Sequence, residues 1–252
     1  MTGYDTLAAR ARNRLPDLRS WAEKAPYEIK GILHSEILFL IAFLEGVPFR
    51  RLLESGRARG QSTLMLSLAL PDREIVSIEF DRNSPDVPIA EARLRDRKNV
   101  TLLYGDARRL LPEMVREGDV VLIDGPKGFR SVRLAITLLA TGCVSHVFVH
   151  DLSVGTFERA FIDANFPEAR FSDCRDYAET GQEADRDLGD VILPTQRIDG
   201  FRGRFGYGYS LTALPYVPDR PYRWLLLKAV LADFAARLAK RWGSDRSPCE
   251  SS

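Results

Sequence analysis

Arg51-Leu52-Leu53-Glu54-Ser55-Gly56-Arg57-Ala58-Arg59-Gly60-Gln61-Ser62-Thr63 is the stretch whose reading decides the fold. A short apolar run ends in an acid, a turn with two glycines follows, and Gln61 to Leu70 then carries a helical pattern. Gly56 and Gly60 let the backbone approach a ligand without Cβ hindrance. The helix that follows points free N–H groups at a polar or anionic group, and Ser62 and Thr63 add hydroxyl donors.

Working outward, the same strand and helix alternation repeats. Short β-rich runs at Arg51–Glu54, Glu74–Glu79, Val100–Tyr104, Asp119–Ile123 and Ser145–His150 each end at an acid or a Gly-acid pair. Between them lie helical stretches at Gln61–Leu70, Pro88–Asp96, Ala107–Glu117, Phe129–Ala140 and Gly155–Asn165. This order predicts βαβ units in an α/β fold, with a parallel sheet buried on both faces. Pro112 predicts either a kink or a second helix beginning there.

The flanks complete one domain. Residues 1–48 read as N-terminal helices capping the site; Gly31 to Val47 is apolar but interrupted by His34, Ser35, Glu36 and Glu45, which suits a buried helix better than a bilayer span. The core runs over 49–217, with a polar loop insertion at 177–203 that would suit a substrate lid and a last strand over Tyr207–Leu214. Residues 218–243 form an amphipathic helix in which Leu227, Leu231, Phe234 and Leu238 share a face and Arg223, Lys228, Arg237, Lys240 and Arg241 supply basic charge. Packing of that face on the domain, or on a twin subunit as a homodimer through the terminal helices, is preferred to a peripheral membrane contact. Residues 244–252 read as a disordered tail.

Composition narrows the functional classes. A chain of 252 residues with 45% hydrophobic and 28% charged residues is an ordinary globular protein, not a disordered or fibrous one. Thirty-six basic against thirty-five acidic side chains give a net charge of +1, so no overall field favours a nucleic-acid partner. Cys143, Cys174 and Cys249 form no CxxC pair, and the N-terminus lacks the apolar core of a secretory signal, so a reducing cytoplasm is expected.

The acids at the strand ends, Glu54, Glu79, Asp106, Asp124 and Asp151, gather where an open α/β sheet binds ligands. A dinucleotide site prefers GxGxxG, a pattern that Ala58 and Gln61 interrupt. An acid two residues before the first glycine is a different device: a carboxylate there accepts from an ammonium, and Glu54 supplies it.

Glu54-x-Gly56-x-Ala58-x-Gly60 resembles the first motif of the class I S-adenosylmethionine-dependent methyltransferases, acid-x-Gly-x-Gly-x-Gly, with Ala58 in place of the middle glycine. The resemblance implies a Rossmann-like, doubly wound, mostly parallel seven-stranded sheet with helices on both faces. It also implies that Glu54 and Gly56 hold the amino acid end of S-adenosylmethionine and that Glu79 takes both ribose hydroxyls, with Asp81 as the competing candidate. Tyr104-Gly105-Asp106-Ala107 looks like the adenine motif, although Asp106 also suits a helix N-cap.

Leu122-Ile123-Asp124-Gly125-Pro126-Lys127-Gly128 resembles the fourth motif of small-molecule O-methyltransferases. In these an acid holds a divalent metal and a lysine three residues on assists deprotonation, roles that would fall to Asp124 and Lys127. Metal-dependent relatives carry Asp-Asn at the end of the fifth strand. Here the residues are His150-Asp151 followed by Leu152, so Asp124 and Asp151 would hold magnesium only with water to complete its shell. His150 reads either as a general base or as a strand-end residue orienting Asp151. His146 reads as a packing residue, and His34 as either a cover over the site or a core residue. A shorter likeness, in Ile123–Pro126 and Val147–Asp151, is to plant glucuronoxylan methyltransferases, which implies a sugar hydroxyl. The expected function is methylation of an oxygen on a small molecule or saccharide, with nitrogen acceptors open. An NAD(P)-dependent oxidoreductase and a non-catalytic cofactor-binding scaffold are the rivals.

Overall fold

The computed structural model describes residues 3–28, 31–188 and 210–244. Two helices, α1 (Gly3–Lys24) and α2 (His34–Leu44), precede the alternating core: β1 (Arg51–Ser55), α3 (Gln61–Ala69), β2 (Glu74–Glu79), α4 (Val87–Leu94), β3 (Val100–Tyr104), α5 (Ala107–Met114), β4 (Asp119–Ile123), α6 (Phe129–Ala140), β5 (Val144–Val149) and α7 (Phe157–Asn165). Then follow β6 (Arg170–Phe171), α8 (Arg175–Ala184), β7 (Thr212–Pro215) and α9 (Tyr222–Ser244).

The seven strands lie in the order β3-β2-β1-β4-β5-β7-β6. The first five are parallel, and β7 runs antiparallel to both β5 and β6. Because β1 pairs with both β2 and β4, the chain order reverses there, and a crevice opens at the carboxyl ends of β1 and β4. The fold is thus α/β, Rossmann-like and mostly parallel, with helices on both faces.

Strand periodicity divides the core in two. Leu52, Val120, Leu122 and Phe148 face a layer built from α1, α2 and α3, whereas Leu53, Val121, Ile123 and Val147 face α6 and α9. All positions of β1 and β4 are buried, which explains why neither shows an apolar and polar alternation.

Four expectations change. Residues 177–184, read as the start of a loop insertion, lie in α8: Tyr177 is buried against Phe39 at a ring-centroid distance of 5.4 Å, and its hydroxyl donates to the Ser35 carbonyl at 3.1 Å. The outward half of α8 is polar, which concealed the helix in the sequence. Residues 189–209, which include the rest of that segment and the start of the expected last strand, lie outside the described residues, as does the tail from 245. Pro112 starts no second helix; it sits near the end of α5, which stops two residues later.

The largest change concerns α9. Its inward face includes Tyr222, Leu225, Ala229 and Ala236, while the Leu227, Leu231, Phe234 and Leu238 stripe faces outward and does not pack on the domain. The two-residue strand β6 was also not anticipated. Among the described residues no helix is long and apolar enough to cross a membrane.

Candidate active site

The turn after β1 is built by close backbone contact. Gly56 has φ +89, and its N–H donates to the Ile78 carbonyl at 3.0 Å. A Cβ on Gly56 would stand 2.7 Å from the Gly125 nitrogen and 2.8 Å from the Asp124 carbonyl carbon, so the turns after β1 and β4 touch without room for a side chain. Ser55 Oγ ties them further by donating to the Gly125 carbonyl at 2.5 Å. Gly60, at φ +77, starts α3 and packs close to Leu94.

Ala58 occupies the left-handed region at φ +45, where a Cβ costs about 1 kcal/mol. Its N–H donates to Glu79 Oε2 at 2.8 Å, and the Phe80 N–H donates to Oε1 at 2.8 Å. Glu79 is therefore fixed by two backbone donors, and each oxygen keeps a lone pair for a further donor.

Glu54 lies beneath the turn and is fully buried. Ser62 Oγ donates to it at 2.5 Å, Ser77 Oγ at 2.7 Å, and Thr63 Oγ1 donates to the same oxygen as Ser77. Burial raises its pKa while the three hydroxyls pull the other way. Glu54, Ser62 and Thr63, expected to contact a ligand, are joined to one another by this network. The reason is strand alternation: Glu54 shares the face of Leu52, under the helical layer. Arg57, to which the sequence reading gives no role, is also buried. It donates to the Ser77 carbonyl at 2.7 Å and stacks over the Tyr104 ring at 5.0 Å, joining the turn to β2 and β3.

After β3, Asp106 caps α5, accepting from the Arg108 N–H at 3.0 Å and pairing with its guanidinium at 2.6 Å. The Arg108 side chain holds the Asp106 carboxyl below its usual range. Gly56, Glu79, Phe80, Asp106, Gly125 and Pro126 line one pocket of about 290 Å³, which Ala107 also borders. Asp81 does not line it; its carboxylate accepts from the Asn83 N–H at 2.9 Å in an exposed turn.

Beyond Gly125-Pro126 lies a cluster of charges. Lys127 Nζ contacts Asp124 Oδ1 at 2.5 Å and also pairs with Asp151 Oδ2. His150 Nδ1 lies 2.6 Å from Asp124 Oδ1 and 3.2 Å from Asp151 Oδ1, while its Nε2 meets Glu36 Oε2 at 3.0 Å. Asp151 adopts φ +64, and its Oδ1 accepts no hydrogen bond.

Burial alone would lower His150, but Glu36, Asp124 and Asp151 together raise it well above the usual imidazole value. Desolvation likewise opposes the charge on Lys127, and Asp124 and Asp151 overcome it. Burial pushes Asp124 up, yet His150 and Lys127 bring it below its ordinary value. Both shifts favour the protonated forms of His150 and Lys127, and His150 bridges Glu36 to Asp124 and Asp151.

Glu36 is the residue that sequence reasoning did not place here. It stands in the first turn of α2, almost fully buried, and also accepts from the Leu33 N–H at 3.1 Å. The available signal was an acid inside the apolar run Gly31–Val47, since a buried acid requires a partner. His34 packs edge-on to Tyr27 and His146 edge-on to Phe43; burial lowers both to about 4, and neither joins the cluster.

Asp124, His150 and Asp151 place ligand atoms within 4.8 Å of one another, the spacing a metal ion requires. The Lys127 ammonium, however, bridges the two carboxylates, and His150 adds a second positive charge on Asp124. The cation position is thus taken by the protein's own side chains, an arrangement that does not fit a divalent ion unless Lys127 is displaced.

The O-methyltransferase family model matches residues 5–144, more than half of the chain. No curated relative matches at the significance level applied. Among solved structures, the chain is similar to the O-methyltransferase TomG from Streptomyces achromogenes, involved in tomaymycin synthesis and solved in complex with SAM. The two share 20% identity over 81% of this chain and 89% of that one, at a TM-score of 0.47. The SAH-bound methyltransferase PaMTH1 from Podospora anserina shows 17% identity over 85% and 88% of the two chains, at a TM-score of 0.45. The family match decides between methyl transfer and the oxidoreductase and scaffold readings. This chain belongs to the O-methyltransferase family of class I, S-adenosylmethionine-dependent enzymes.

Proposed function

We propose that the protein methylates a hydroxyl of a small, polar acceptor, with a sugar or other polyol the best fit to its site. One observation carries this reading: Gly125 and Pro126, which wall the 290 Å³ pocket, lie between Asp124 and Lys127 in one short loop. Donor pocket and charge cluster therefore adjoin. A polyol suits a cluster offering an ammonium, an imidazolium and two carboxylates more than an apolar ring would.

S-adenosylmethionine, when bound, supplies an electrophilic methyl group on a sulfonium. The residues present suit it: Glu79 would hold the ribose hydroxyls, Asp106 and the Ala107 N–H the adenine, and the Gly56–Gly60 turn the amino acid end. Glu54, Ser62 and Thr63 would act from beneath by fixing that turn.

On the acceptor side, the Lys127 ammonium would donate to the acceptor oxygen and stabilise negative charge as its proton leaves. Asp151, whose Oδ1 accepts no hydrogen bond, would receive that proton. His150 and Glu36 would hold Asp124 and Asp151 in place. Lys127 fills the position a magnesium ion would take, so the reading assigns no step to a metal. Cys143 and Cys174 are free thiols, which supports a reducing compartment such as the cytoplasm.

The test is methyl transfer to a panel of polyols and phenols with and without a chelator. Product formation from polyols that survives EDTA supports the reading. Activity confined to phenols, or abolished by EDTA and restored by magnesium, overturns it.

A further inference from the structure

Helix α9 buries one face against α6 and leaves a second apolar face in the open. Trp224, Leu227, Leu231, Phe234 and Leu238 recur at alternating spacings of three and four, so they form one line along roughly 21 Å of helix. Trp224 is 66% exposed, Leu231 61% and Phe234 64%, with Leu227 and Leu238 also exposed. Single exposed apolar residues are ordinary; five aligned along one helix mark an interaction surface.

The charge around this line has one sign. Arg223, Lys228 and Arg237 are exposed beside it, and the sequence continues with Lys240 and Arg241. The one acid in α9, Asp233, is buried and bonded to Arg237 at 2.8 and 2.9 Å, with Arg133 of α6 at 3.5 Å. Arg133 in turn joins Arg130 and Arg108 around a shallow depression between α5 and α6. Against a net charge of only +1 for the chain, the exposed charges of α9 flanking this line are all basic.

We propose that the outer face of α9 docks on an anionic lipid surface, with Trp224, Leu231 and Phe234 entering the acyl boundary and Arg223, Lys228 and Arg237 meeting the headgroups. A second copy of the chain fits less well. Antiparallel pairing of two α9 stripes would set basic flanks against basic flanks, with no exposed acid in α9 to answer them. A bilayer also accepts a convex line of side chains without a complementary groove.

The experiment is flotation of the full chain with vesicles of phosphatidylcholine alone and with about one-third phosphatidylglycerol, beside light scattering of the free protein. The expected result is binding to the anionic vesicles only, weakened by salt. Leu231→Glu with Phe234→Glu should abolish it, and Arg223→Glu with Lys228→Glu should reduce it at least about tenfold. Retained S-adenosylhomocysteine binding would show that the variants fold. Absence of binding to anionic vesicles at low salt overturns the proposal, as does binding that the Leu231→Glu, Phe234→Glu pair leaves intact. A dimer that this pair converts to monomer would assign the stripe to a second copy and likewise overturn it.

Discussion

The two halves of the ligand-binding edge are built by opposite means. At the ends of β1, β2 and β3 the backbone does most of the work: Gly56 packs against Gly125, the Ala58 and Phe80 N–H groups fix Glu79, and Glu54 accepts hydrogen bonds from three hydroxyls. At the ends of β4 and β5 the elements are charged side chains, with Lys127 and His150 set among Asp124, Asp151 and Glu36. Each half contains a non-glycine residue in the left-handed region, Ala58 in one and Asp151 in the other. Strain of that kind persists only where surrounding contacts over-determine it. On the proposed reading, the cofactor is held by backbone shape together with the Glu79 carboxylate, and the chemistry lies in a balanced set of charges.

Gly56→Ala should break the first half most severely. Its Cβ would meet two backbone atoms at 2.7 and 2.8 Å, in a conformation that already disfavours a side chain. A loss of about 3 kcal/mol or more in denaturant unfolding, with loss of S-adenosylhomocysteine binding, is expected. Wild-type stability would show that the two turns can separate.

Lys127→Met should break the second half while sparing the first. Turnover is expected to fall about 100-fold or more, with cofactor affinity nearly unchanged in calorimetry. A parallel loss of affinity would erase the division between the halves.

Glu36→Gln sharpens the charge account. His150 is raised, so its ion pairs contribute stability that is fully present below about pH 6.5 and lost as pH rises through its higher folded value. Removing the Glu36 charge should move the alkaline decline of turnover and thermal stability down by roughly one pH unit. An unmoved profile would remove Glu36 from the cluster's balance.

Ala58→Gly carries the smallest expected effect. Relief of the left-handed strain is partly offset by the greater freedom of an unfolded glycine, leaving a gain of about 0.5 kcal/mol in chemical unfolding. A loss of stability would mean that the Ala58 methyl makes a contact worth more than its strain.

Much of the fold was legible because buried parallel strands leave compact apolar runs with acids at their ends. The observed limits of β2 and α6 coincide with those read from the sequence. The hidden parts have physical causes. Glu36 lies 114 positions from His150, a separation that no local pattern encodes. The motif carries no sign of the hydroxyl network beneath the turn, where alternation along β1 directs Glu54 with Leu52. In α9 the stripe of large residues concealed the face that packs on the domain, where Leu225 is joined by the small Ala229 and Ala236. The polar outer half of α8 concealed a helix anchored by Tyr177.

The most direct measurement is calorimetric titration of S-adenosylhomocysteine into the wild-type chain and Glu79→Ala, with NADH as control. The account predicts binding by the wild type, no binding of NADH, and affinity reduced about tenfold or more in Glu79→Ala, which loses a charge-assisted contact. Equal affinity in the two proteins, or tighter binding of NADH, would contradict it.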